Sequence, residues 1–128
     1  MTEVAKYPLS EVFELIMQNK YWFSAPSRSS REVQRVYATL LKPKTDDEAE
    51  QFVLEGIQSL KPENFYKRQT QWGLVVDVYG LIFDNKPWFV KFAIELDEKE
   101  DGSMKKILQQ ISFHPPERKL VTVGGIKL

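Results

Sequence analysis

The feature that most constrains this chain is a change of hydrophobic period at Asn64: apolar residues recur at helical spacing before it and alternate after it. Such a chain must fold its first half as helices and its second half as a sheet, which makes it an α+β protein. In the helical half, Ser10 precedes Glu11, Val12, Phe13, Leu15 and Ile16, so a helix near 10–19 with Ser10 as its N-cap is expected. Phe23 to Ser29, with Pro26 among serines, reads as a loop. Ser29 and Glu32 then have capping-box spacing ahead of Val33, Val36, Tyr37, Leu40 and Leu41, and Pro43 is expected to end that second helix. Thr45 and Glu48 repeat the spacing before Ala49, Phe52, Val53, Ile57 and Leu60, and Lys61-Pro62 closes the third.

The alternating half contains three β-rich runs, Leu74 to Phe83, Trp88 to Leu96 and Ile107 to His114. Asp84 to Pro87 and the polar stretch Asp97 to Ser103 separate them. Connections this short favour an antiparallel meander, with the three helices packed on one of its faces. The tail, Val121 to Leu128 with Gly124-Gly125, reads either as an edge strand or as a free end. No boundary or repeat divides the 128 residues, so one domain over 1–128 is expected.

Composition narrows the chemistry. With 42% hydrophobic and 28% charged residues the chain has the makeup of a globular protein. It has no cysteine, which removes disulfides, thiolate metal ligands and cysteine nucleophiles together and suits the cytoplasm. A single histidine makes a zinc site improbable, and no cofactor motif is present: there is no glycine-rich phosphate loop, nucleophile elbow or calcium loop. Met1 to Tyr7 has no apolar run, so neither a signal peptide nor a membrane anchor is expected. Eighteen basic and eighteen acidic residues balance, but the acids gather at Asp46 to Glu50 and Glu95 to Asp101, leaving Lys67, Arg68, Lys91, Arg118 and Lys119 in neutral or basic stretches.

Strand alternation divides the sheet's side chains between two faces. Trp88, Val90, Phe92, Ile94 and Leu96 belong to the core, joined by Val76, Val78, Ile107, Ile111 and Phe113. The other face then collects Asp77, Tyr79, Lys91, Glu95, Gln110, Ser112 and His114. A solvated outer face is polar in many small domains, and that reading stands beside a functional one. In the functional reading His114 exchanges protons near neutral pH, Lys91 neutralises a phosphate rather than pairing with Asp77, and Tyr79 stacks on a base rather than packing. Asn64 to Trp72 interleaves Lys67 and Arg68 with Phe65, Tyr66 and Trp72, which suits RNA, since phosphates need cations and unstacked bases need aromatic planes; the alternative is a plain helix-to-strand connection.

Phe65-Tyr66-Lys67, Asp77-Val78-Tyr79, Val90-Lys91-Phe92 and Ile111-Ser112-Phe113-His114 resemble, in their order and spacing, the motifs of MqsR-type toxins. These are RelE-like mRNA interferases of bacterial toxin–antitoxin systems. With the helical stretches from Leu9 to Lys20 and into Leu60, the resemblance covers most of the chain. It implies a RelE-like two-layer fold, metal-free cleavage of mRNA by attack of a ribose 2′-hydroxyl on the adjacent phosphate, and an antitoxin protein as partner. It assigns Lys67 to phosphate stabilisation and groups Tyr79, Lys91 and His114 with it as catalytic residues. Arg68, Gln71, Trp72 and Arg118 become RNA-binding residues, and Asp77 and Ser112 support the site. Val76 and Phe89 stand where the family has Gln and Tyr. Two readings follow: an active ribonuclease in which Tyr79, Gln71 or His114 takes over the missing work, or a related module that binds RNA or protein without cleaving.

Overall fold

The computed structural model describes residues 4–23, 28–39, 43–98 and 100–128, without the side chains of Arg28 and Asp97. In chain order these form α1 (Leu9–Met17), β1 (Tyr21–Phe23), α2 (Arg28–Val36), α3 (Asp46–Gln58), a 3₁₀ turn (Pro62–Asn64), β2 (Phe65–Gln71), β3 (Leu74–Phe83), β4 (Lys86–Glu98) and β5 (Met104–His114). The fold is α+β, with three helices and one five-stranded sheet of order β1-β5-β4-β3-β2. Every neighbouring pair from β2 to β5 is antiparallel, so the expected meander forms; β1 runs parallel to β5 and makes the sheet mixed.

Local chemistry explains most of the boundaries. Thr45 and Glu48 make the full reciprocal cap, Thr45 Oγ1 accepting from the Glu48 N–H at 3.2 Å and Glu48 Oε1 from the Thr45 N–H at 3.1 Å. Asp46, Asp47 and Glu48 in the first turn add charge complementary to the helix dipole. The other two expected caps do not form. Pro8, not Ser10, precedes α1, because its carbonyl already accepts from the N–H groups of Glu11 and Val12. Ser29 lies inside α2 and donates to Gln110 Oε1 at 2.6 Å, while Glu32 turns to Arg35. Helix α2 also ends at Val36, before Pro43; Leu40, Leu41 and residues 24–27 of the expected loop lie outside the described residues.

One apolar core joins the helices to the sheet. Val12, Leu15 and Ile16 of α1, Val33 of α2 and Phe52, Val53 and Ile57 of α3 pack with Tyr79, Trp88, Val90, Phe92, Leu108 and Phe113. Phe52 stands edge-on to Phe83, Trp88 and Phe113, with ring centroids 5.0, 5.4 and 6.1 Å away. Helix α3 approaches so closely that a Cβ on Gly56 would meet the Phe113 ring at 2.8 Å. Gly56→Val should therefore cost about 1–3 kcal/mol by overpacking, more than the few tenths of a kcal/mol that it gains in helix propensity. Denaturant melts would check this, and an unchanged midpoint would mean that α3 does not press on β5.

Register settles the two faces. Tyr79 pairs with Val90, and Asp77 with Phe92, so Asp77 and Tyr79 lie on the helix-bearing face. Val78 pairs with Lys91 and with Lys67, which puts Val76 and Val78 on the outer face, contrary to expectation. Both valines are nevertheless fully buried, and Val76 belongs to the apolar core cluster as expected, whereas Val78 does not. The long stems of Lys67 and Lys91 flank Val78 from the neighbouring strands and cover it. On β5 a bulge at Ile111 shifts the phase: Ser112 pairs with Lys91, but Gln110 pairs with Phe92 and turns toward the helices. Ile107, expected in the core, pairs with Glu95 on the outer face, and Leu108 takes its place.

The tail is neither a sheet edge nor free. Val121 bridges Lys127, Gly125 turns with φ 84°, and the small hairpin is tied back by Val123 N–H to Phe65 O at 2.7 Å and Gly124 N–H to Glu63 O at 3.1 Å. Leu120 and Leu128 lie over Gly80 on the outer face, where a Cβ would stand 2.0 Å from Leu128 Cδ1. Among the described residues, no helix is long and apolar enough to cross a membrane.

Candidate active site

The segment Phe65–Gln71, expected as a connection, is the edge strand β2. A bulge between Phe65 and Lys67 breaks its alternation, so Tyr66 and Lys67 both reach the outer face. Register sets Lys67, Val78, Lys91 and Ser112 in one row across four strands. By strand spacing the two lysine Cα atoms are about 10 Å apart. The adjoining row is Gly80, Phe89 and His114. The chain leaving β5 brings Glu117 and Arg118 over these rows, and Leu120 closes one wall. The result is a cleft of about 320 Å³ lined by Tyr66, Lys67, Gln69, Phe89, Lys91, His114, Glu117, Arg118 and Leu120.

Its groups are held differently. The His114 ring stacks on Phe89 at 5.2 Å with 27° between planes, and its Nδ1 lies 2.7 Å from the Pro115 carbonyl. A carbonyl only accepts, so Nδ1 carries the proton and Nε2 is the nitrogen left for exchange. Lys91 Nζ sits 5.4 Å from the Phe89 ring centroid and donates to Gln71 Oε1 at 3.4 Å, a long contact, while Gln69 donates to the same oxygen at 3.2 Å. Burial first, and the Lys67 ammonium second, hold Lys91 below the ordinary lysine value; Glu117 pulls it the other way.

No family model, curated protein or solved structure matches the chain. The site therefore rests on its own geometry.

Of the residues singled out in the sequence, Lys67, Lys91, His114 and Arg118 share the cleft, with Ser112 and Gln71 on the same face beside it. Tyr79 does not join them. It is stacked on Phe92 at 5.3 Å and edge-on to Phe65 at 5.5 Å, its hydroxyl pKa is raised chiefly by burial, and it borders a separate apolar cavity with Tyr7, Leu9 and Val123. Asp77 is also on the helix side, where its carboxylate accepts from the Lys6 and Tyr7 N–H groups at 2.9 and 2.8 Å. Arg68 pairs across strands with Asp77 and donates to the Val4 carbonyl, so it faces away from the cleft. Trp72 is exposed at the β2–β3 turn, in the left-handed region with φ 56°.

Sequence reasoning passed over Gln69 and Glu117 as site residues and used Tyr66 only as part of a motif. A bulge brings in Tyr66 and the chain leaving β5 brings in Glu117, neither with a periodic signal, while Gln69 follows Lys67 by ordinary alternation once β2 is a strand. Chemically, the cleft offers three cations, one imidazole with a free Nε2, one carboxylate and two aromatic planes. That is a site for an anion carrying a planar group. Inorganic phosphate or a short RNA bound there should raise the Lys91 pKa, since an anion offsets both burial and Lys67. Side-chain NMR titration of Lys91 with and without ligand would register it, and an unmoved Lys91 would exclude an anion from the cleft.

Proposed function

We propose that this chain is an endoribonuclease of the MqsR toxin type, cleaving mRNA without a metal and neutralised by an antitoxin protein, with its helices and sheet in the RelE-like two-layer arrangement. The observation that supports this most is the convergence of Lys67, Lys91 and Arg118 around His114. Attack of a 2′-hydroxyl on its phosphate concentrates negative charge on the phosphoryl oxygens, and cations positioned against those oxygens stabilise that charge. His114 supplies proton transfer through Nε2. Tyr66 and Phe89 supply stacking planes for unpaired bases.

The test is incubation of purified protein with a long RNA in the presence of chelator, alongside expression in bacteria. The wild-type chain should shorten RNA and slow growth. Lys67→Ala should cleave roughly 10²–10³-fold more slowly, as for loss of one preorganised electrostatic donor. Because Lys67 is exposed, the substitution should change stability by no more than about 0.5 kcal/mol.

One observation favours a second reading. Phe89 lines the cleft against His114 at a position where the resembling family has a Tyr hydroxyl, so a module that binds RNA or protein without cleaving fits the same surface. RNA left whole at concentrations where it is measurably bound would decide for that module.

A further inference from the structure

The apolar cavity beside Tyr79 shares no lining residue with the cleft. Pro8 and Leu9 at the start of α1, Pro62 of the 3₁₀ turn, Phe65 of β2 and Val123 of the tail help to wall about 460 Å³. Small-molecule sites run from about 300 to 1,000 Å³ and are mostly apolar with a few placed polar groups. Two such groups are present. Tyr79 is only 1% exposed, yet among the described residues its hydroxyl makes no hydrogen bond. Nor is that oxygen sealed off: it keeps a small accessible patch, and the space that it borders is the cavity. Buried polar groups are nearly always paired, so an idle donor facing a hollow marks the place of an acceptor. Burial first, and the Asp77 carboxylate second, keep the hydroxyl protonated and able to donate. The Tyr7 hydroxyl is already used, donating to the Val75 carbonyl at 2.6 Å. Lys6, exposed at the rim, is the only charged residue among the described residues of the lining. Asp77 stands outside that lining, with its oxygens on the Lys6 and Tyr7 N–H groups.

We infer that this cavity is a binding site for a small amphipathic carboxylate. Its hydrocarbon body lies against Leu9, Phe65 and Val123, its carboxylate accepts from Tyr79 Oη–H, and the Lys6 ammonium supplies the opposite charge. A cation cannot accept from Tyr79 and is repelled by Lys6, and a neutral alcohol gains nothing from that charge. The site stands apart from the ribonuclease reading and does not depend on it.

The experiment titrates octanoate, 1-octanol and octylammonium, which share one hydrocarbon body, into the wild type at neutral pH and follows the amide NMR shifts of Leu9, Phe65 and Val123. Octanoate should bind tightest and move all three. Tyr79→Phe keeps the ring that stacks on Phe92, and should weaken octanoate binding about 10-fold or more, as for a hydrogen bond to a charged group. Without ligand the same variant should melt no lower than the wild type, because the hydroxyl it loses had no partner. Lys6→Gln should weaken binding about 2–5-fold, as for an exposed ion pair. Ala5→Trp, which fills the cavity, should abolish binding while the chain still melts cooperatively. Octanoate that fails to bind, or binds no tighter than the other two probes, would overturn the assignment. So would Tyr79→Phe with undiminished affinity, or with a lowered melting midpoint in the absence of ligand.

Discussion

Replacing Asp77 by alanine should lower the unfolding free energy by about 2–4 kcal/mol, although the residue touches nothing in the cleft. Its carboxylate is fully buried and holds the N–H groups of Lys6 and Tyr7. Orphaning a buried donor costs about 1–3 kcal/mol; the Tyr7 N–H is buried and the Lys6 N–H part-buried, so the second loss is the smaller, with some relief from removing a desolvated acid. The pH dependence has a definite sign. Burial raises the Asp77 pKa, and the two N–H groups with Arg68 and Lys6 only partly oppose it. The folded chain therefore holds a proton there that the unfolded chain has released. This group's contribution is full below the ordinary aspartate value and is lost as pH rises through the raised one. Urea melts of the wild type and Asp77→Asn across pH 3–7 would show the wild type's relative stability falling with pH. A flat difference would contradict the direction.

His114→Ala should reduce RNA cleavage by about 10²–10⁴-fold, the range expected for removing an acid–base group. The variant loses a ring stacked on Phe89, so its folding must be followed by thermal melting. RNA affinity should change only a few-fold, because Lys67, Lys91 and Arg118 remain. Single-turnover cleavage and fluorescence anisotropy separate the two effects. Cleavage at wild-type speed by folded His114→Ala would remove proton transfer by this ring from the mechanism.

The strands were legible because alternation survives in their composition. Leu74–Phe83 forms with both ends as expected, and β4 and β5 extend their expected runs by a few residues. The capping box at Thr45 was legible for the same local reason, whereas Ser29 was misread: a tertiary partner, Gln110, outbid the local backbone donor. Strand β2 was missed because Phe65–Gln71 is an edge strand with one polar face, and its two cations and three glutamine or threonine residues resemble a loop.

The candidate site was legible only by half. Lys67, Lys91, His114 and Arg118 stood out by residue type, and the cleft joins them. Tyr79 and Asp77 were placed on the same face because Leu-Val-Val-Asp-Val-Tyr-Gly-Leu-Ile-Phe is apolar in both phases, and a strand covered on both sides gives no signal for choosing between them. Glu117 and Tyr66 could not be found from periodicity at all.

By itself, then, the sequence determined the class of the fold, the order of its helices and meander, and the inventory of chemical groups. Those follow from local forces: capping, alternation and the conformational limits of proline and glycine. Only the tertiary structure decided which face each β3 side chain takes, that Ile111 and Tyr66 are bulged, and that the tail folds back over Gly80 to wall the cleft. These are outcomes of pairing register and of packing between residues far apart in the chain, where shifting one position reverses every side chain that follows.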